Sequence, residues 1–437
     1  MTITTAADER AIAKAYRRLI PLLFVLYVAS FLDRINIGFA ALEMNKDLKI
    51  SAAEFGLSIA IFYVGYILCE VPSNLALVRY GARLWISRIM ITWGLASAAT
   101  MFAIGAWSLY GLRFLVGVAE AGFLPGILLY LTYWFPPSHR GRAIALFFLA
   151  QPVTIALGSP VSGLFLKMDG MGGLEGWQWL FLLEGLPSVV LGFVTLRFLP
   201  DGPKSARWLS EEERSALLRR IEAEQVASAS SRVQRHSSVW VELRSPSVLM
   251  LCLAYFGLVV SLTTNSSWTP QIMNEALKGF TGDYFVIGLM TAIPAVCAAI
   301  MMPLWSGLSD RRTERTWYIV APMAIAVVGW GLVALSTVIQ VRVLGLCLGS
   351  MGSLTAMTVF WTVPPHHLSP EGRPAGTALI NAAGIVGSAT APIVIGHLRD
   401  FTGSFSASLW YTAAMLMLSI ATLLVLASRG REGVAAT

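Results

Sequence analysis

Twelve stretches of this chain are long and apolar enough to cross a lipid bilayer, and no other feature constrains its fold as strongly. They lie near 19–42, 53–78, 84–104, 107–134, 142–167, 177–199, 247–273, 283–306, 316–336, 342–363, 374–398 and 406–428. A spanning helix needs about 20 mostly apolar residues. Only 13% of the residues are charged and 56% are hydrophobic, whereas soluble domains carry about 25% charge. Inside a bilayer every backbone N–H and C=O must bond within its own segment, so the expected fold is an all-α integral membrane bundle. The polar start MTITTAADERAIAKAYRR has no apolar core followed by a cleavage site, so the first stretch reads as a retained span.

Basic residues orient the spans. With the N-terminus inside, the cytoplasmic segments hold 24 Lys and Arg and the outer loops 6. Setting aside the nine from Arg197 to Arg244 still leaves 15 against 6. That asymmetry puts both termini in the cytoplasm. It also makes the net charge of +7 a matter of topology, with no nucleic-acid partner implied. Cys69, Cys252, Cys297 and Cys347 have no paired spacing and read as small buried hydrophobes. The adjacent His366 and His367 do not match metal-ligand spacing, and no metal or organic cofactor is expected.

The chain repeats itself. Arg79 recurs as Arg311 and Pro160 as Pro392, each 232 positions on; Arg142 recurs as Arg373 after 231, and Gly163 as Gly396 after 233. The expected organisation is a cytoplasmic N-terminus (1–18), a six-helix bundle (19–199), a cytoplasmic linker (200–245), a second six-helix bundle (246–428) and a cytoplasmic tail (429–437). Parallel repeats of this kind build many secondary transporters, with the substrate held near the midplane. Within the linker, Ser210 followed by acids opens like a capped helix, and its charges read as a solvated surface.

Six ionisable residues fall inside the spans: Asp33, Arg34, Glu70, Arg113, Glu120 and Glu184, all in the first half. A charge at mid-bilayer costs at least about 2.5–3.5 kcal/mol and marks function by default. Arg113 and Glu120 are seven residues apart, within about 20° of one helix face, and Gly117 between them leaves room for a helix or a ligand. The side chains of Asp33 and Arg34 diverge by about 100°, so one can face a cavity and the other span 4. Arg113 suits a substrate carboxylate, because its planar fork does not deprotonate. Asp33 and Glu120 suit proton carriage, and Arg34 tunes Asp33 or makes a second anion contact. The alternative is a structural ion-pair network joining spans 1 and 4. Glu70 and Glu184, read near the cytoplasmic ends of their spans before Pro72 and Pro187, are assigned to gating.

SDRRTER, between spans 8 and 9, resembles the cytoplasmic loop signature of the major facilitator superfamily. FLDRINIGFA, YILCEVPSN, RFLVGVAEAGFLPG and WFPPSHRGRA resemble its anion:cation symporter branch, which carries sugar acids, tartrate, phthalate and hydroxylated aromatic acids. The resemblance implies the major facilitator fold, with two pseudo-symmetric six-helix bundles. It implies the roles just given for Asp33, Arg34, Arg113 and Glu120. It also places Tyr66, Gln151 and Asn381 at polar positions that hold substrate in relatives, and makes Asp310 and Arg311, with the repeat mate Arg79, an interhelical latch. On span 7, Asn265 and Trp268 share a face from which Gln271 drifts; each could hold substrate or simply join helices. NAAGIVG departs from the branch, with Ile385 where a second asparagine is usual. The expected protein is a monomeric proton symporter importing a carboxylate. The alternatives are an exchanger of organic anions or phosphorylated metabolites, or a sensor without turnover. An enzyme is not expected, since no nucleophile–base set, phosphate loop or metal cluster is present in the sequence.

Overall fold

The computed structural model describes residues 6–230, 244–310, 316–368 and 373–435, and the regular structure among them is entirely helical. The first half runs α1 (Ala6–Asp47), α2 (Ala52–Tyr80), α3 (Ala82–Ala99), α4 (Ala106–Glu120), α5 (Phe123–Trp134), α6 (Pro137–Phe148), α7 (Ala150–Leu166) and α8 (Gly176–Phe198). After a connecting helix, α9 (Glu211–Ser230), come α10 (Pro246–Ala276), α11 (Tyr284–Asp310), α12 (Thr316–Leu335), α13 (Ile339–Phe360), α14 (Arg373–Thr402) and α15 (Ser406–Ala435). Eleven helical segments are long and apolar enough to cross a membrane. Ala82–Ala99, at 18 residues with two arginines, is less apolar. It nevertheless packs lengthwise on α8, with Ser87 Oγ donating to Gly192 O at 2.7 Å, and completes a set of twelve.

Two spans are broken, for reasons of sequence. Pro125 has no N–H to give the carbonyl of Ala121, and its ring would crowd that carbonyl. The helix therefore stops at Glu120, Gly122 turns left-handed at φ 85°, and α5 restarts at Phe123. A Cβ on Gly122 would also overlap Ser73 Oγ. In the next span Pro152 cannot donate to Phe148, and the helix is interrupted at Leu149.

Helix α9 is held along one face, which corrects the expectation for Glu213 and Arg220, while Glu211, Glu212, Arg219 and Glu222 form the expected solvated surface. Ser210 forms a reciprocal cap with Glu213, at 3.2 and 3.0 Å. Glu213 also binds Lys14 of α1 at 2.7 Å and is 4% exposed. Arg220 reaches Glu9 at 2.7 Å and Asp8 at 3.4 Å. The α1 helix therefore begins well before its apolar part, because its polar first turns have α9 to pack against. The four cysteines are free and half-buried, and the fold brings Cys297 and Cys347 within bonding reach across α11 and α13.

An even number of spans puts both ends of the chain and α9 on one face, called here the terminus face. The two halves meet toward the opposite, far face. There α2 crosses α14, α7 crosses α11 and α1 crosses α10. Glycine permits each crossing. A Cβ on Gly56 would overlap Pro392 O, and one on Gly396 would overlap Ala52 O. Likewise Gly288 abuts Ser159 O, Gly163 abuts Tyr284 O and Gly38 abuts Ser267 O. Asp400 of α14 accepts from the first two N–H groups of α2, at 3.0 and 2.8 Å, where the helix dipole favours an anion. Lys167 binds Asp283 at 2.9 Å. Toward the terminus face the crossings run out. On α2, Phe55 and Phe62 are buried while Leu68, Val71 and Leu75 are exposed.

Candidate functional site

The chain break after Glu120 leaves that carboxylate at the end of α4, facing α1. Arg34 Nη2 lies 2.7 Å from Glu120 Oε1, and Arg34 Nε donates to the same oxygen at 2.8 Å. Ser30 Oγ, one turn earlier on α1, donates to it at 3.1 Å. Glu120 is fully buried and its Oε2 has no partner. The Arg34 guanidinium lies over the rings of Tyr66 and Phe62, 5.5 and 5.9 Å from their centroids. Arg113 approaches the same Phe62 ring at 5.0 Å. It is 3% exposed, and its Nε is buried without a hydrogen bond. Thus Arg113 and Glu120 are both buried on α4, but the ion-pair partner of Glu120 is Arg34. The space beside Gly117 is taken by a helix: a Cβ there would overlap Phe62 O of α2.

Asp33 points the other way, so the expected division between cavity and span 4 needs correction. Arg34 takes the α4 side, but Asp33 turns toward α3 and α8 rather than a cavity, and is 2% exposed. It accepts from Trp93 Nε1 at 2.5 Å, Ser97 Oγ at 2.6 Å, Asn36 Nδ2 at 3.1 Å and Ser188 Oγ at 3.4 Å. Four neutral donors can hold a buried carboxylate without a cation. Glu184 also departs from its expected place. It lies eight residues into a 23-residue helix, nearer the far-face end, fully enclosed and bonded to Ser162 Oγ at 2.7 Å. A span that begins at the far face puts this residue at depth, not at the terminus end.

The remaining polar candidates are scattered. Gln151 is half-buried in the first turn of α7, beside the interruption at Leu149. Asn381 is half-buried on α14. Asn265 donates to Ser350 Oγ at 3.1 Å and lines a water-sized pocket between the halves with Ile35, Ser159 and Thr291. Trp268 is wholly buried in the far-face closure, edge-on to Phe55 at 5.1 Å and Phe405 at 5.7 Å, with Nε1 unpartnered. In this conformation it seals rather than lines a cavity. Gln271 faces a far-face vestibule of about 740 Å³ with Lys46, Lys278 and Arg399. Glu70 is half-buried, and Arg79 is exposed at the terminus end of α2. Asp310 ends α11, while Arg311 lies outside the described residues.

Ser30, Phe62, Trp93 and Ser97 escaped the sequence reading. Trp93 and Ser97 do carry a signal, being an i, i+4 donor pair on one face of a membrane helix. Phe62 carries none, since an apolar residue in a span is unremarked until two guanidiniums converge on it. Among the described residues no group of His, Cys, Asp and Glu could hold a metal ion.

Known proteins are similar to this chain in sequence and in fold. The family model described as Major Facilitator Superfamily matches residues 23–367 and 251–436. A protein of Agrobacterium vitis named "Putative tartrate transporter" is 42% identical over 432 residues, covering 99% of this chain and 94% of its own. The "Putative metabolite transport protein NicT" of Pseudomonas putida is 42% identical over 410 residues, covering 92% and 91%. A solved bacterial homologue of the human lysosomal transporter Spinster superposes with a TM-score of 0.75 at 17% identity, over 95% of this chain and 97% of that one. The chain belongs to the major facilitator superfamily and is a multi-pass membrane transporter.

Proposed function

We propose that the protein imports an organic acid anion by proton symport across a bacterial inner membrane, the two halves rocking about the site in alternating access. The carrying observation is a buried guanidinium with an unused donor. Arg34 is neutralised by Glu120 and Asp33 is wrapped in neutral donors, but Arg113 has a buried, unbonded Nε. Such a site complements a carboxylate. The name of the Agrobacterium vitis relative, for tartrate, supports a carboxylate cargo.

A coupling step follows from the same geometry. A proton on Glu120 releases Arg34 from its ion pair, and the site then offers two guanidiniums against one Phe62 ring. Protonation therefore raises anion affinity, and by linkage the anion raises proton affinity. Asp33 is the second carrier in this reading. Tyr66 and Gln151 border the site. Asn265 and Asn381 meet the cargo from the second half, with Trp268 at the far-face seal above them. Glu70, Arg79, Asp310 and Arg311 belong to the cytoplasmic gate, assigned with the terminus face inside. The closed far face is then the periplasmic one, and the conformation opens inward.

The test is uptake into proteoliposomes under an imposed pH gradient, with tartrate, sugar acids and aromatic acids offered in turn. Arg113→Lys keeps the charge but loses the fork, and should cost a charge-assisted hydrogen bond, roughly a 10- to 100-fold loss of affinity. Near-normal affinity in that variant would remove Arg113 from the site. Asp33→Asn should bind the acid without concentrating it; accumulation that a protonophore still abolishes would remove Asp33 from the coupling.

A further inference from the structure

Three carboxyls are buried at membrane depth among the described residues: Asp33, Glu120 and Glu184. Glu120 has a guanidinium and Asp33 has four donors. Glu184 is 1% exposed and has one donor, Ser162 Oγ on Oε1, while Oε2 is buried and bonded to nothing. The helices packed against α8 bring no cation to it. From α3 come the neutral donors Trp93 and Ser97, both turned to Asp33. From α7 comes Ser162, and from α1 come Asn36 and the acid Asp33. An anionic carboxylate with one neutral donor and another acid nearby is strongly disfavoured.

Asn36 supplies the connection. Its Nδ2 donates to Asp33 Oδ1 at 3.1 Å, its Oδ1 is buried without a partner, and its side chain lies within bonding reach of Glu184. Turned over, the amide would set its oxygen against the Asp33 carboxylate. Two acceptors, Asn36 Oδ1 and Glu184 Oε2, are thus left facing no donor. A single proton on Glu184 removes the unbonded charge at Oε2, while Asn36 Nδ2 keeps its bond to Asp33 Oδ1.

We propose that Glu184 is a proton-binding residue of the first half that carries its proton in this far-face-closed state and leaves the negative charge of the Asp33–Glu184 pair on Asp33. Unequal surroundings divide the pair: the acid with four donors is the anion, and the acid with one keeps the proton. Asp33 can then take a proton of its own only when the donors of α3 and α8 move away from it. The occupancy of Glu184 stands or falls without proton symport; only its use in transport rests on that reading.

Infrared spectra of the purified protein in lipid at neutral pH, in H₂O and D₂O, read the proton directly. The wild type should show the C=O stretch of a protonated carboxyl, shifted in D₂O. Glu184→Gln should remove that band, and Asp33→Asn should keep it. Ser162→Ala keeps the acid but removes its donor, and should move the band to higher frequency; this variant serves if Glu184→Gln does not fold. A band lost in Asp33→Asn and kept in Glu184→Gln would put the proton on Asp33 and overturn the proposal. So would a band that neither Glu184→Gln nor Ser162→Ala changes. Failure of a pH gradient to drive uptake would leave these spectra untouched, and so would count only against symport.

Discussion

The two halves are copies in fold and opposites in chemistry. In the first, the buried polar groups of the spans include Asp33, Arg113, Glu120 and Glu184. In the second, the buried polar residues described are serines, threonines and Asn265. Trp330 Nε1 donates to Ser261 Oγ at 2.8 Å, Ser261 meets Ser353 at 2.7 Å, and Thr264 meets Thr412 at 3.1 Å. The comparison separates what a repeat conserves from what it frees. The close approaches are shared, with Gly56 matched by Gly288 and Gly163 by Gly396, because both halves must meet each other by the same geometry. Charge is not shared, because a second set of buried ions would double a desolvation cost that only the site uses.

The largest expected effect lies in the charged half. Arg34→Ala strands Glu120 as an unpaired buried charge and should destabilise the fold by about 3–5 kcal/mol. Thermal unfolding in detergent would show it, and Arg34→Met with Glu120→Leu should recover much of the loss. No recovery would mean that the pair shapes the fold beyond its charge.

Next come the crossings, where the halves should behave alike. Gly163→Val and Gly396→Val each force a side chain into a facing carbonyl. Overpacking costs about 1–3 kcal/mol, and both variants should lose uptake by failing to close the far face. A cysteine accessibility assay at Ser267 should find both more open. If only one variant opens, the closure is not symmetric.

Smaller again is the neutral half. Ser261→Ala removes the bonds to Trp330 and Ser353 and should cost about 1 kcal/mol for each, read as a modest drop in unfolding temperature. A loss as large as that of Arg34→Ala would erase the contrast.

The smallest effect lies on the terminus face. Lys14 and the Ser210 cap hold the Glu213 carboxyl below the usual glutamate range; Arg220 and Ser138, outweighing burial, do the same for Glu224. Their contribution is full above that range and is lost as the pH falls below it. Hydrogen exchange in α9 should therefore quicken on acidification through the glutamate range, and less so in Glu213→Gln. Unchanged exchange would mean that apolar packing alone holds α9.

Much of this was legible in the sequence, in a particular way. The period and length of the apolar stretches announce the spans, and constant offsets announce the repeat. Charges in apolar surroundings announce themselves by being out of place, so the burial of Asp33, Arg113 and Glu120 could be read directly. Their partners could not. Helical arithmetic gives the angle of Glu120 but not the neighbour at that angle, and Arg34 comes from 86 positions away. Pro125 and Gly122 did signal a broken helix, yet an apolar run reads as continuous. Asp33 was assigned to a cavity because its neutral donors are common residues on other helices. Glu184 was misplaced in depth because proline was taken to mark a helix end, whereas Pro187 sits inside α8.

The glycine crossings at the far face carry a further consequence. Gly56, Gly163, Gly288 and Gly396 bring main chain against main chain, so at these four points the closure is made of atoms that every residue possesses. The glycine contacts themselves strand few polar groups when they part, since the helix carbonyls already have their own N–H partners, so the grip of the far face comes from Trp268 against Phe55 and Phe405, the Lys167–Asp283 pair and Asp400 at the start of α2. In the proposed alternating access, a bound anion or a proton must favour the parted form by more than those few contacts hold the shut one.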